Sequence, residues 1–263
     1  MNALPDAHLH VYSVVNDAEV LGRDLQSSPD IVEGRVPLSV LWGARSASEA
    51  YAAAMSSATA DILVFLHQDI YLPRGWFGRL ARHVHRLNQI DSDWAVAGSS
   101  GVKRDGTYVG HLWDSGLGCL FGGPFPEPVR SASLDETILV VRRASGVGFD
   151  PQMPTFHLYG TDIVLSAEAQ GKSAYIIDLP MIHNTAAPRR FRREYGDAYR
   201  FMIRKWRHQL PWPTVIVPLT TSPWALLYRQ LISHYNRICH PEMFSVQLPN
   251  PGVKARELGF EDV

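Results

Sequence analysis

The apolar run 62–66 (Ile-Leu-Val-Phe-Leu) is closed by Asp61 on one side and by His67-Gln68-Asp69 on the other. Five apolar residues bounded by polar ones predict a strand buried on both faces, the pattern of a parallel sheet. Runs at 8–15, 36–41, 94–98, 134–143 and 173–177 read as further strands. Helical signals lie between them. Ser46-Ala-Ser48-Glu49 opens an alanine-rich helix through Ala58, and Trp76, Leu80, Val84 and Leu87 recur at helical spacing within 75–88. Gly160-Thr161-Asp162 starts another helix that ends at Gly171. Strand and helix in alternation predict an α/β fold, a mostly parallel sheet flanked by helices. Residues 99–125 are dense in glycine and read as one long functional loop. Beyond about residue 187 arginine, aromatic residues and proline take over. The expected organisation is a domain over 1–206 and a C-terminal helical or irregular extension over 207–263 packed on it. Residues 226–238 have amphipathic spacing, suited to a docked helix or a dimer face, with docking the favoured expectation.

Composition narrows the class. At 263 residues and 46% hydrophobic the chain can bury a real core, and a net charge of −1 gives no sign of a nucleic-acid binder. Cys119 and Cys239 form no metal-finger spacing, which points to a reducing compartment, with a single disulfide as the alternative. The first residues lack the basic and apolar regions of a signal peptide, and 212–228 is broken by Pro213, Pro218 and Pro223. The expectation is a soluble cytoplasmic protein. Arg189, Arg190, Arg192 and Arg193 leave peripheral contact with the inner face of a membrane open.

His67 and Asp69 sit where the ligand crevice of an α/β sheet lies, beyond the carboxyl end of a strand. Two residues apart on an extended chain, they point the same way. The ordinary alternative is a polar turn. Asp162 has two readings as well: a helix cap, or a carboxylate placed to take a proton.

Four segments taken in order resemble one family. They are 61–69 with Tyr71, Pro73 and Trp76; Ser133-Leu-Asp135-Glu136; Phe149-Asp150 with His157-Leu-Tyr-Gly-Thr-Asp162; and His183-Asn184. Together they resemble family 2-like glycosyltransferases, in particular the StrF-type domain of streptomycin biosynthesis, over roughly 8–206. The resemblance implies a GT-A fold and metal-assisted, inverting transfer of a sugar from a nucleotide-diphosphate donor to an acceptor hydroxyl. The acceptor (glycan, lipid-linked sugar, small molecule or protein) stays open.

The family's metal motif is usually Asp-x-Asp; here it reads His67-Gln68-Asp69. By resemblance Asp69 and His183 bind a divalent metal, and His67 either coordinates too, supports the ligands from behind or contacts the ribose. Magnesium prefers oxygen ligands and manganese accepts imidazole, so manganese is the expected ion. The resemblance makes Asp162 the general base, although its usual acidic neighbour is Thr161 here. It assigns donor contacts to Ser13, Asn16, Asp17, Trp42, Gly43, Ser46 and Gln68, with Trp42 either stacking on the base or buried in the core. Asp135, Glu136 and His157 fall to the sugar and acceptor, and Arg190 and Arg193 to a segment closing over the diphosphate. Two other readings exist. A sugar-1-phosphate nucleotidyltransferase needs a glycine-rich loop after the first strand, and 13–19 has none. A catalytically inactive GT-A-like nucleotide-binding or scaffold module remains the alternative.

Overall fold

The computed structural model of the chain describes residues 8–185, 193–222, 224–239 and 246–261. β1 (Leu9–Val15) leads through α1 (Ala18–Arg23) and α2 (Pro29–Val32) to β2 (Leu38–Trp42). Next come α3 (Ala47–Ser57), β3 (Ile62–His67), β4 (Ile70–Tyr71), α4 (Trp76–Ile90) and β5 (Trp94–Gly98). Short strands follow: β6 (Ser100–Val102), β7 (Tyr108–Asp114), β8 (Cys119–Gly122), β9 (Val129–Arg130), β10 (Ser133–Leu134) and β11 (Ile138–Arg142). The chain continues with α5 (Tyr159–Ala169), β12 (Ser173–Ile176), β13 (Met181–His183), α6 (Arg193–Lys205), α7 (Trp224–Cys239) and α8 (Pro251–Glu257).

The α/β class is the fold observed. Seven strands form the central sheet in the order β2-β1-β3-β11-β5-β12-β9. In β3, Leu63 and Phe65 enter the core on one face, and Ile62, Val64 and Leu66 the core on the other. Burial on both faces is why the run has no polar alternation. Helices cover both faces, and α4 buries Trp76, Leu80, Val84 and Leu87 at the spacing read from the sequence. Asp17 and Ser46 cap α1 and α3 by accepting from backbone N–H groups in their first turns.

Three details depart from expectation. The segment 134–143 is not one strand: it breaks between β10 and β11, and β11 runs antiparallel to both β3 and β5. The break, Asp135-Glu136-Thr137, turns the chain back into the sheet from its ligand end. The sheet is therefore parallel only along β2-β1-β3 and β5-β12. Residues 99–125 are not a loop either. They supply β6, β7 and β8 to a second sheet ordered β10-β6-β7-β13-β4, with β8 on β7. Their glycines permit close approach: Gly122 has φ +70°, and a Cβ there would collide with the Gly110 carbonyl. Finally, α5 begins at Tyr159, before Gly160.

The described residues after 206 pack on this frame. Trp212 and Leu219 are buried in the main core, and the Trp212 indole N–H donates to the Ala132 carbonyl (2.6 Å). Ala255 and Phe260 pack with Tyr71 and Ile182. Helix α7 is the exception to the docked helix expected at 226–238. It buries Leu226 but leaves Leu231 69% exposed. Both cysteines are free and exposed. No helix among the described residues is long and apolar enough to cross a membrane.

Candidate metal and donor site

Two sheets meet at the site. β3 of the central sheet ends at His67, and two residues later the chain enters the second sheet as β4. There β13 pairs antiparallel with β4, setting His183 opposite Ile70, and the Asn184 N–H donates to the Asp69 carbonyl (2.7 Å). Strand pairing thus brings together side chains more than a hundred positions apart. His67, Asp69 and His183 each offer a ligand atom within 4.8 Å of the others.

Neighbours orient both imidazoles. Asp114, at the end of β7, lies 2.9 Å from His183 Nδ1, which leaves Nε2 3.6 Å from Asp69 Oδ1. The Tyr159 hydroxyl donates to the Glu136 carbonyl (3.1 Å) and lies 3.0 Å from His67 Nε2. With its one proton committed, the phenol oxygen accepts from His67 Nε2–H, and Nδ1 keeps its lone pair on the Asp69 side, 3.9 Å from Oδ1. Partners of this kind behind histidine ligands fix ring and tautomer and are usual at metal sites. Burial works against a charged His183, yet Asp69 and Asp114 raise its pKa well above the ordinary value. Burial likewise opposes the ionised Asp69, but His183 and His67 hold its pKa well below the carboxylate range. For His67, burial and His183 lower the pKa against the pull of Asp69 and Asp135. Two imidazoles and one carboxylate fit a transition-metal dication better than magnesium.

The donor-side residues lie at the strand ends, most with partners. Gln68 Oε1 accepts from the backbone of Asn16 and Asp17 (2.9 and 3.1 Å), and its amide donates to Asn16 Oδ1 (2.6 Å). That clamp joins the ends of β1 and β3. Asp17 and Ser46 spend their side chains as helix caps. Ser13 is fully buried in β1. Gly43 follows β2 with φ +68°. Trp42 is 57% exposed, which removes the core reading and leaves its ring open to a ligand.

Asp135 and Glu136 line a small, partly open recess with Leu158, Thr161, Tyr195 and Thr214. Burial first, and the Asp135 carboxylate second, push the Glu136 carboxyl up to about 8. His157 packs against the Tyr195 ring (5.4 Å) on the same side. Thr155 and Leu158, on either side of it, both have positive φ, +66° and +64°, a strained backbone for residues with a Cβ.

Asp162 is not brought to the metal-ligand group. It lies in the first turn of α5 but neither caps the helix nor faces the three ligands. Its Oδ1 accepts from the Trp206 indole (2.7 Å), and Lys205 Nζ lies within 2.9 Å of both oxygens while also binding Asp150 (2.7 Å). Burial raises its pKa against these partners. The carboxylate thus fastens the end of α6 to α5. Arg193 is 92% exposed at the start of α6, 4.0 Å from Asp197. Arg190 lies outside the described residues.

Sequence reading missed Asp114, Tyr159 and the role of Asn184. Asn184 is fully buried; its amide donates to Asp24 (2.7 Å) and to the Leu248 carbonyl (2.9 Å), stitching the C-terminal segment behind the site. The signal for Tyr159 was its place at the turn before a helix. Asp114 sat inside a stretch read as loop.

No protein-family profile matches the chain. One curated relative, "ATP synthase subunits region ORF 6" of Fuscovulum blasticum, is 31% identical over 147 residues, 52% of this chain and 59% of that protein. The chain thus spans less than two thirds of that relative's length. Among solved structures, a mannosyltransferase from Pyrobaculum calidifontis in complex with GDP-Man and Mn2+ aligns over 98% of this chain and 81% of its own, at 12% identity and a TM-score of 0.49. GalNAc-T7 with UDP, GalNAc and Mn2+ aligns over 70% and 45%, at 13% identity and a TM-score of 0.48.

Proposed function

We propose that this chain is a GT-A-type glycosyltransferase, family 2-like, that moves a sugar from a nucleotide-diphosphate donor to an acceptor hydroxyl with inversion. The observation that supports it most is the meeting of His67, Asp69 and His183 from two sheets, with Asp114 and Tyr159 setting the imidazoles. These three residues would hold a divalent cation, manganese rather than magnesium. Once bound, such an ion offsets the charge that gathers on a leaving diphosphate. The rest of the work belongs to the chain's own groups. Gln68 holds the ends of β1 and β3 at a fixed separation, and the exposed face of Trp42 suits a nucleotide base. Arg193 is the cation proposed to meet the diphosphate from α6.

The base needs a carboxylate that is ionised at working pH and open to the acceptor. Asp162 is engaged by Lys205 and Trp206, and Glu136, held near 8, is mostly protonated at neutral pH. Asp135 is the better candidate. It sits at the turn between the two sheets, beside the recess, close enough to His67 to influence its charge. Its Oδ1 accepts from the Thr137 N–H (2.9 Å), which holds the carboxylate in place.

One observation favours the alternative, a nucleotide-binding or scaffold module without turnover: the carboxylate matched to the family's base is tied up. Release of free nucleotide from a panel of nucleotide sugars, with and without acceptors, separates the two. Under the transferase reading Asp135→Asn lowers release roughly 10²–10⁴-fold while nucleotide binding persists. Unchanged turnover in Asp135→Asn removes the base assignment, and absence of release with every donor favours the module.

A further inference from the structure

Asn184 follows His183 directly and commits every polar group it has. Its backbone N–H donates to the Asp69 carbonyl (2.7 Å), and its backbone carbonyl accepts from Gln247 Nε2 (3.1 Å). The side-chain amide donates to Asp24 Oδ1 (2.7 Å) and to the Leu248 carbonyl (2.9 Å), while Oδ1 accepts from the Leu248 N–H (2.6 Å). Both amide protons and the amide oxygen are used, which fixes the orientation of the group. Asp24 is held in turn by Arg23, whose Nε and Nη2 donate to its two oxygens (2.9 and 2.6 Å). An aspartate in place of Asn184 would set a second carboxylate against buried Asp24. An apolar side chain would leave both Leu248 groups without their partner.

These bonds reach the backbone that carries the ligands. Asp69 immediately precedes β4, and His183 ends β13, so the pairing of the two strands sets the distance between their side chains. β4 is two residues long and lies at the sheet edge with β13 as its neighbour, too little to fix its place unaided. The C-terminal segment braces the pair twice. At one end Gln247 and Leu248 grip Asn184. At the other, Ala255 and Phe260 pack on Tyr71 of β4 and Ile182 of β13, and the Tyr71 hydroxyl donates to Glu261 Oε1 (3.2 Å). A dication drawing in His183 Nε2 and Asp69 Oδ1, now 3.6 Å apart, gains affinity from whatever holds them close beforehand. We infer that Asn184 is a positioning residue for the metal-ligand group, and that through it segment 246–261 belongs to the metal site. Docking of the segment and binding of the metal then favour each other, and the coupling is reciprocal. The inference rests on the metal reading proposed above.

Manganese calorimetry and hydrogen exchange of the full chain, read by mass spectrometry, test it together. Asn184→Ala is expected to lower manganese affinity about 10–100-fold. By reciprocity manganese slows exchange in 246–261 of the parent roughly tenfold or more, while exchange in α4 stays the same. Gln247→Ala truncates a half-buried side chain that the fold tolerates losing, and it lowers the affinity by a smaller factor. That variant keeps the test open should Asn184→Ala fail to fold. Asp162→Asn loosens α6 instead and leaves manganese affinity at the parent value, which separates lost positioning from a general loss of stability. Manganese binding that leaves exchange in 246–261 unchanged, or an affinity that Gln247→Ala does not move, overturns the inference while the metal reading stands. Absence of manganese binding by the parent removes the metal reading, and the inference with it.

Discussion

At the residue scale, the site depends on groups standing behind the ligands. Asp114 holds His183 by its Nδ1, so the charge of that carboxylate, and not just its shape, keeps Nε2 directed at Asp69. Asp114→Asn keeps the size and the acceptor for the Leu117 N–H, and loses the charge. Manganese affinity measured by calorimetry is expected to fall about 10–100-fold, with nucleotide binding recovered at higher metal concentration. Unchanged affinity would reduce Asp114 to a turn residue. Glu136 carries a different signature. Its carboxyl is raised from 4.5 to about 8 in the folded chain, so between those values the native state holds a proton that the unfolded chain has lost. Stability from this group therefore falls as pH rises through the window, by at most about 1.4 kcal/mol per pH unit. Glu136→Gln removes the titration, and denaturant melts at pH 5 and pH 8 should then differ less than in the parent. An equal difference would mean that Glu136 is not buried enough to hold its proton.

At the element scale, Asp162 is a fastener between α5 and α6. Lys205→Met leaves a buried carboxylate facing only the Trp206 indole and Asp150, and should cost roughly 3–5 kcal/mol in chemical denaturation. Asp162→Asn keeps the shape without the charge and should cost less, with metal and nucleotide binding both retained. Loss of nucleotide binding in Asp162→Asn without loss of stability would return the residue to the site. The same scale shows what was legible. Asp61 to Asp69 announced a doubly buried strand ending in a site because five apolar residues between polar ones have few other homes. The capping roles of Asp17 and Ser46 are equally local, since each side-chain oxygen meets N–H groups no more than three residues on. The second sheet was hidden because its strands are two to seven residues long and carry glycine where backbones touch, as at Gly110 and Gly122. Glycine reads as loop until the neighbour it accommodates is known.

At the scale of the whole molecule, the metal-ligand group exists because one sheet ends where another begins. His67 and Asp69 could be paired from the sequence by their spacing. His183 entered only through family resemblance, since nothing local marks a histidine that strand pairing will carry beside Asp69. The direction of β11 was invisible for the same reason: a strand's partner is a property of the fold. Asp162 is the opposite case, a position matched by motif whose side chain is engaged by Lys205 and Trp206 at the end of α6. Helix α7 shows a third kind, since amphipathic spacing marks an apolar face without saying which way it looks.

The central claim is that His67, Asp69 and His183 form a metal-dependent nucleotide site. Calorimetric titration with UDP, GDP, dTDP and CMP, each with manganese and with chelator, tests it most directly. The account predicts that one nucleoside diphosphate binds only when manganese is present, and that Asp69→Asn or His183→Ala abolishes the binding while the thermal midpoint stays within a few degrees of the parent. Binding indifferent to chelator, or unaffected by either substitution, would contradict it.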